Sequence, residues 1–319
     1  MDNLIHKNIG LGYALLHFYL YSSFHIAICA VAITSYSYFT LSHQIIDYHY
    51  VGFVGASTLL LYSLHRIIGI NKSDSYATKG RFAIIIKYKS HLIIYSIVSA
   101  LYCLYTFYTF DWNRKILLAI PVALSLSYSL PIFIGGKRLR DFHFIKIFLI
   151  AFCWALITCT IPYYESIKYQ FDIPHNYWTL FLATIDRALF IFAITIPFDI
   201  RDRDVDKSNN VQTLATKFSD KALKRISLLA LIVGTIISIL LYTQDVHSTL
   251  TLLPIILTYT ITSFLVYLTH QRRSDYFFTG LLDSTMILPL ILFFFVRELH
   301  VNLTVVLKYQ PQTKLRWKQ

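Results

Sequence analysis

Apolar runs long enough to cross a bilayer recur from one end of this 319-residue chain to the other, and that recurrence narrows its possible folds more than any other feature. A hydrocarbon layer of roughly 30 Å needs about 20 mostly apolar residues of helix, and within it every backbone N–H and C=O must be satisfied by the protein. Nine spans are expected, at about 16–40, 48–69, 91–110, 115–134, 143–162, 178–198, 224–242, 249–269 and 276–296. The first lacks a basic leader and a small-residue cleavage site and is too long for a cleavable signal. With 56% hydrophobic and only 14% charged residues, the chain is not an ordinary soluble domain. The expected class is an all-α polytopic membrane protein.

The net charge of +12 does not point to nucleic acid, because the basic residues are sorted by loop. The connections after the second, fourth, sixth and eighth spans are rich in Lys and Arg, among them Lys72, Arg81, Lys137, Arg138, Arg140, Arg201 and Arg272. The opposite connections carry only Arg114, Lys115 and Lys168. This is the positive-inside pattern, and it puts the N-terminus in the cytoplasm and, after nine spans, the C-terminus outside. The basic tail (Lys308, Lys314, Arg316, Lys318) runs against that orientation. The expected setting is a bacterial inner (cell) membrane.

No linker and no close repeat divides the chain, so residues 1–298 are expected to form one domain, followed by a basic tail at 299–319. Alternation at Val301, Leu303, Val305 and Leu307 hints at a short strand or an interfacial segment there. Cys29, Cys103, Cys153 and Cys159 fall inside spans without metal-ligand clustering and read as small apolar residues. The 24 Tyr and 24 Phe could line a pocket for an aromatic or isoprenoid ligand, or simply reflect a bias in composition. The long connections, 70–90 and 199–223, lie on one side only, and that side is expected to carry the function.

One of them opens FDIRDRDVDKSNNVQTL, with four aspartates directly after an apolar span. If the sixth span stays helical past Pro197, Asp199, Asp202 and Asp206 fall at i, i+3 and i+7, within about 60° of one another. Like charges at that spacing repel, and the arrangement becomes favourable with a divalent cation between them. Arg201 and Arg203 could instead neutralise the cluster without metal.

These residues resemble the second aspartate-rich motif of the UbiA superfamily of intramembrane prenyltransferases, DxxD…D followed by a short loop and TL, here Asp199, Asp202, Asp206, Thr213 and Leu214. SYSLPIFIGGKRLRDF resembles the family's YS-x-P…KR segment through Tyr128, Ser129, Pro131, Lys137 and Arg138. Taken alone, Lys137 and Arg138 fit ordinary loop topology equally well. The resemblance implies a bundle of nine transmembrane helices with its active site on the cytoplasmic side. It further implies transfer of an isoprenoid from a polyprenyl diphosphate to a lipid-soluble or aromatic acceptor within the lipid. Asp199, Asp202 and Asp206 would hold Mg2+, and Lys137 and Arg138 would meet the diphosphate.

The family's first motif, N-x-x-x-D-x-x-x-D at the end of the second helix, is missing. By register Tyr62, Arg66 and Ile70 stand in its place, and Asn71 and Asp74 come too late and too close together. Either His65 and Arg66 contact the diphosphate where a metal ion would otherwise act, or the site has lost its chemistry and Arg66 merely snorkels to the interface. The second possibility describes a catalytically inactive relative that binds a polyprenyl lipid or scaffolds a membrane complex. A transporter would want broken helices and repeat symmetry that the sequence lacks. Asp186 and Arg187 in the sixth span and Asp283 in the ninth should face the bundle interior, because charge facing lipid is costly. Tyr128 and Asp283 are candidate pocket residues. His17, His25 and Lys146 read as polar groups lining helices.

Overall fold

The computed structural model describes residues 10, 12, 15–41, 46–71, 89–130, 132–133, 136, 138–142, 144–168, 176–208 and 211–309. Its regular elements are all helices. A short helix, α1 (15–21), ends at a bend where Ser23 takes φ 72°, so the first expected span is interrupted. There follow α2 (Phe24–Leu41), α3 (Tyr48–Asn71), α4 (Lys89–Thr109) and α5 (Trp112–Ser129). Next, α6 (Lys146–Ala155) runs through a π-helical turn, Leu156–Thr160, into α7 (Ile161–Lys168). The chain continues as α8 (Tyr177–Ser208), the single turn α9 (Leu214–Lys217), α10 (Asp220–Thr243) and α11 (Thr249–Leu268). A second π-helical turn, Tyr276–Leu282, leads to α12 (Leu288–Tyr309).

Seven helices among the described residues are long and apolar enough to cross a bilayer: α2, α3, α4, α6 with α7, α8, α10 and α11. Helices also stand at the other two expected positions, but α5 opens on the polar run Asn113–Lys115, and the last is interrupted at 285–287. The alternation at 301–307 lies on α12, not on a strand.

Helices α2 and α8 form the middle of the bundle. Nearly four-fifths of α2 is buried, against about a fifth of α4. Along α4, Ile94, Ile97, Leu101, Leu104 and Tyr105 face outward, as apolar side chains do against lipid. The interior holds the polar groups. On α2, Thr34 and Ser37 turn their hydroxyls onto the carbonyls of Ala30 and Ile33 at 2.7 and 3.2 Å, which removes the cost of burying them.

Helix α8 decides where the acidic residues go. It passes through Pro197 and stays helical to Ser208, ten residues beyond the apolar stretch. A proline inside a helix leaves the carbonyl four residues earlier without its N–H. That carbonyl, on Ala193, accepts a hydrogen bond from the Ser227 hydroxyl of α10 at 2.6 Å. A neighbouring helix thus repairs the gap, and the helix carries Asp199, Asp202 and Asp206 as one rigid piece.

Candidate functional site at the acidic helix end

Four connections meet at one end of the bundle: the end of α3, the loop before α6, the end of α8 and the turn after α11. Asp199 is buried at 2% exposure and accepts a hydrogen bond from Lys146 Nζ at 2.8 Å. Lys146, the first residue of α6, is itself buried and also lies 3.6 Å from Asp206 Oδ2. Asp199 and Asp206 therefore share one face, as their spacing requires, and both turn toward one ammonium group. Asp206 Oδ2 is buried and has no hydrogen bond. The charges of Asp199 and Asp202 both reach Asp206, so the repulsion expected of the stripe is present and Lys146 offsets it.

Asp202 takes a different cation. Arg201 forks onto it, Nε to Oδ1 at 2.9 Å and Nη2 to Oδ2 at 3.1 Å, and reaches Asp275 Oδ1 at 3.4 Å. Its guanidinium also lies 4.9 Å from the Phe198 ring and 5.3 Å from that of Phe278. Of the two arginines that could neutralise the cluster, Arg201 does so. Arg203 turns away to Asp220 and the Ala215 carbonyl, and Asp204 is exposed.

The end of α3 faces this cluster. Arg66 donates to the Tyr21 carbonyl at the α1–α2 bend. His65 bonds Arg140 from the turn Leu139–Asp141, and Arg140 lies 5.4 Å from the Tyr128 ring. The charges of Arg140, Arg138, Arg66 and Lys146, from three segments, all reach His65. Asp283, half-buried after the second π-helical turn, lies within reach of Arg201 and Arg66. The loop before α6 is tied down by Phe144, whose N–H bonds the Gln212 carbonyl at 2.9 Å. Lys137 lies outside the described residues.

Most of the expected site residues thus meet: Asp199, Asp202 and Asp206 with Arg201, and His65, Arg66, Arg138 and Tyr128 with Asp283 near Arg66. Thr213 opens α9, where Thr216 Oγ1 accepts its N–H at 3.0 Å, and Leu214 packs against the cluster around Ile147 and Ile200. Two residues were missed. Arg140 read as one more loop cation, and Lys146 as a polar helix-lining group. The available signal for Lys146 was a charge inside an otherwise apolar span.

Elsewhere the buried charges behave as their cost demands. Asp186 accepts from Tyr259 and Ser238 at 2.7 and 2.9 Å, while neighbouring Arg187 donates to Ser37 at 3.0 Å. At the end opposite the acidic cluster, Arg114 joins Asp47 at 2.7 Å and Glu165 at 2.8 Å. All four cysteines are free.

Residues 86–282 match the UbiA prenyltransferase family. The matched stretch begins beyond α3, the helix that carries Arg66. No curated protein matches the chain. Among solved structures, the fold is similar to a UbiA homolog from Archaeoglobus fulgidus bound to DMAPP and Mg2+, with TM-score 0.58, 11% identity, and 88% of this chain and 99% of that one covered. The same homolog bound to GPP and Mg2+ gives a TM-score of 0.56. The apo UbiA homolog from Aeropyrum pernix also gives 0.56, at 12% identity, covering 85% and 98%. A structure of digeranylgeranylglyceryl phosphate synthase gives 0.52 at 15% identity, covering 88% and 97%.

Proposed function

Since the chain belongs to the UbiA prenyltransferase family, we propose that it is an integral membrane prenyltransferase that binds a polyprenyl diphosphate at the acidic end of α8. Its isoprenoid would pass to a lipid-soluble or aromatic acceptor held in the bundle. The supporting observation is that the charges of Arg66, Arg138, Arg140 and Lys146 all reach His65, while Lys146 pairs with Asp199 and Asp206. A diphosphate needs that density of donors: arginines offer planar forks and a lysine a compact charge. Lys137, next to Arg138 in sequence, is proposed to join them. This end of the bundle is proposed to face the cytoplasm, as the loop charges require. The interrupted last helix and α5 would supply the two crossings beyond the seven.

When the C–O bond of the donor breaks, negative charge gathers on the departing diphosphate and positive charge on the allylic carbon. The basic cluster would neutralise the first. Ring faces serve the second: Phe198, Phe278 and Tyr128 already lie against guanidinium groups, and an allylic cation would be drawn to such faces by about 0.5–2 kcal/mol per ring.

Three carboxylates on one helix face, with Asp206 Oδ2 buried and lacking a hydrogen bond, form a donor set of the type a hard cation prefers. As the side chains stand, no three His, Cys, Asp or Glu among the described residues close around one point, and the three aspartates are paired with Lys146 and Arg201. Asp199, Asp202 and Asp206 would hold Mg2+ once those two cations turn aside. Bound there, it would stabilise charge on the diphosphate oxygens.

The pairing of each of the three aspartates with a protein cation, Asp199 and Asp206 sharing Lys146 and Asp202 taking Arg201, favours a second reading, a relative that binds a polyprenyl lipid without chemistry. The deciding experiment is the affinity of purified protein for geranyl and farnesyl diphosphate, with and without Mg2+, beside Asp202→Ala and Arg66→Ala. Mg2+-dependent binding that Asp202→Ala abolishes supports the transferase. No binding at any chain length rules it out.

A further inference from the structure

Lys146 stands where a metal ion would have to go. Its ammonium is 2.8 Å from Asp199 and 3.6 Å from Asp206, and it is buried in the bundle, 9% exposed, at the first turn of α6. A divalent cation entering between those carboxylates must push it out. Beyond the aspartates, the positive charge of Arg140 bears on Lys146 directly, and Arg138 and Arg66 join the two of them around His65. A Lys146 pushed off both carboxylates would be a buried ammonium that had lost its two ion-pair partners and kept the repulsion of Arg140, which is strongly unfavourable. One event changes this. A diphosphate arriving among those basic residues brings several negative oxygens, and Lys146 can leave the carboxylates for them without losing its ion pair.

Resting on the donor reading above, we propose that Lys146 is a built-in counter-cation that makes metal binding at Asp199 and Asp206 conditional on a bound diphosphate. Without the diphosphate, the lysine keeps the two carboxylates paired and holds the metal off. With it, Lys146 changes anion, the carboxylates become free for the metal, and the two ligands bind together. The linkage is reciprocal: whatever the diphosphate adds to metal affinity, the metal adds to diphosphate affinity. The end of α3 completes the device, because by register Arg66 stands where the related motif carries an aspartate, so α3 adds a cation there and not a metal ligand.

The test uses the full chain in lipid nanodiscs and reads Mn2+ binding by electron paramagnetic resonance, which needs no turnover. Lys146→Met and Lys146→Gln vacate the position. Mn2+ alone should bind the variants at least about tenfold more tightly than the wild type, within the usual range of coupling between sites. Adding farnesyl diphosphate should restore tight Mn2+ binding to the wild type and change the variants much less. Equal Mn2+ affinity of wild type and variants in the absence of diphosphate overturns the proposal and leaves the donor reading standing. If farnesyl diphosphate binds the wild type under no condition, the donor reading fails, and the metal-only comparison still judges Lys146. Should neither variant fold, the wild type decides: Mn2+ bound without diphosphate and lost in Asp206→Asn overturns the proposal, and Mn2+ held only with diphosphate supports it.

Discussion

Tyr259 on α11 donates its hydroxyl proton to Asp186 on α8 at 2.7 Å, and Ser238 on α10 donates to the other oxygen at 2.9 Å, so one buried carboxylate ties three helices together. Asp186 lies thirteen residues before Asp199, about 20 Å along the helix at 1.5 Å per residue. The tie is therefore remote from the proposed diphosphate site. Tyr259→Phe should lower unfolding stability by about 1–2 kcal/mol, the upper part of the range for hydrogen bonds between membrane helices. Farnesyl diphosphate affinity should stay unchanged. Thermal unfolding and ligand binding on the same sample would show it, and a loss of binding at full stability would contradict the assignment.

Gly234 is the small residue that lets this tie form. A Cβ built there comes within 2.9 Å of both Asp186 Oδ1 and Tyr259 Cε2. Gly→Ala in a helix normally gains about 1 kcal/mol from propensity, whereas overpacking costs about 1–3 kcal/mol, so the clash should win narrowly. Gly234→Ala should destabilise the wild type by about 1 kcal/mol and become neutral or stabilising in a Tyr259→Leu background. A double-mutant cycle in unfolding stability measures the coupling.

His247 gives the bundle a pH dependence. It sits in the turn between α10 and α11, buried at 6% exposure, with Nδ1 lacking a hydrogen bond, in a cavity of about 30 Å3 that it lines with Asp186, Arg187 and Tyr36. Burial first, and then the positive charge of Arg187, push its pKa down to about 4. The ring is neutral when folded, and an unfolded chain takes up the proton near the ordinary value of about 6.5. Stability is therefore complete above about pH 6.5 and declines as pH falls from there toward 4, by up to about 3 kcal/mol. His247→Leu should flatten that part of the curve. Unfolding followed at pH 7.5 and pH 4.5, in both proteins, checks the sign.

Arg140 and Arg203 are both basic residues at the same end of the bundle, but their partners set them apart. Arg140 joins His65 inside the basic cluster, while Arg203 is spent on Asp220 and the Ala215 carbonyl. Arg140→Ala should weaken farnesyl diphosphate binding about tenfold or more, the loss expected when one charge-assisted contact disappears. Arg203→Ala should leave affinity unchanged and lower stability slightly. Titration calorimetry on the two variants separates the roles, and equal losses would dissolve the distinction.

The helices were readable because their cause is local. Every long apolar run expected to be helical carries a helix, and polar side chains such as Thr34 and Ser37 turn inward to carbonyls on their own turn. The shared face of Asp199 and Asp206 followed from helical spacing once Pro197 was allowed inside the helix. What permits that proline, Ser227 capping the Ala193 carbonyl, joins residues on two helices and leaves no trace in local pattern.

By itself, the sequence determined that the chain is a helical membrane protein and placed its candidate site residues at the ends of apolar spans. Lengths of apolar runs, spacing of carboxylates and sorting of loop charges are properties of short segments, and those segments obey the same physics wherever they are placed. Only the tertiary structure decided which cation each carboxylate meets. Lys146 reaches Asp199 from 53 positions away, and Arg201 bonds its own neighbour Asp202 instead of leaving it to a distant partner. Such choices depend on how helices rotate and how deep each side chain is buried, because a charge inside a bundle takes whichever opposite charge the packing places within about 4 Å.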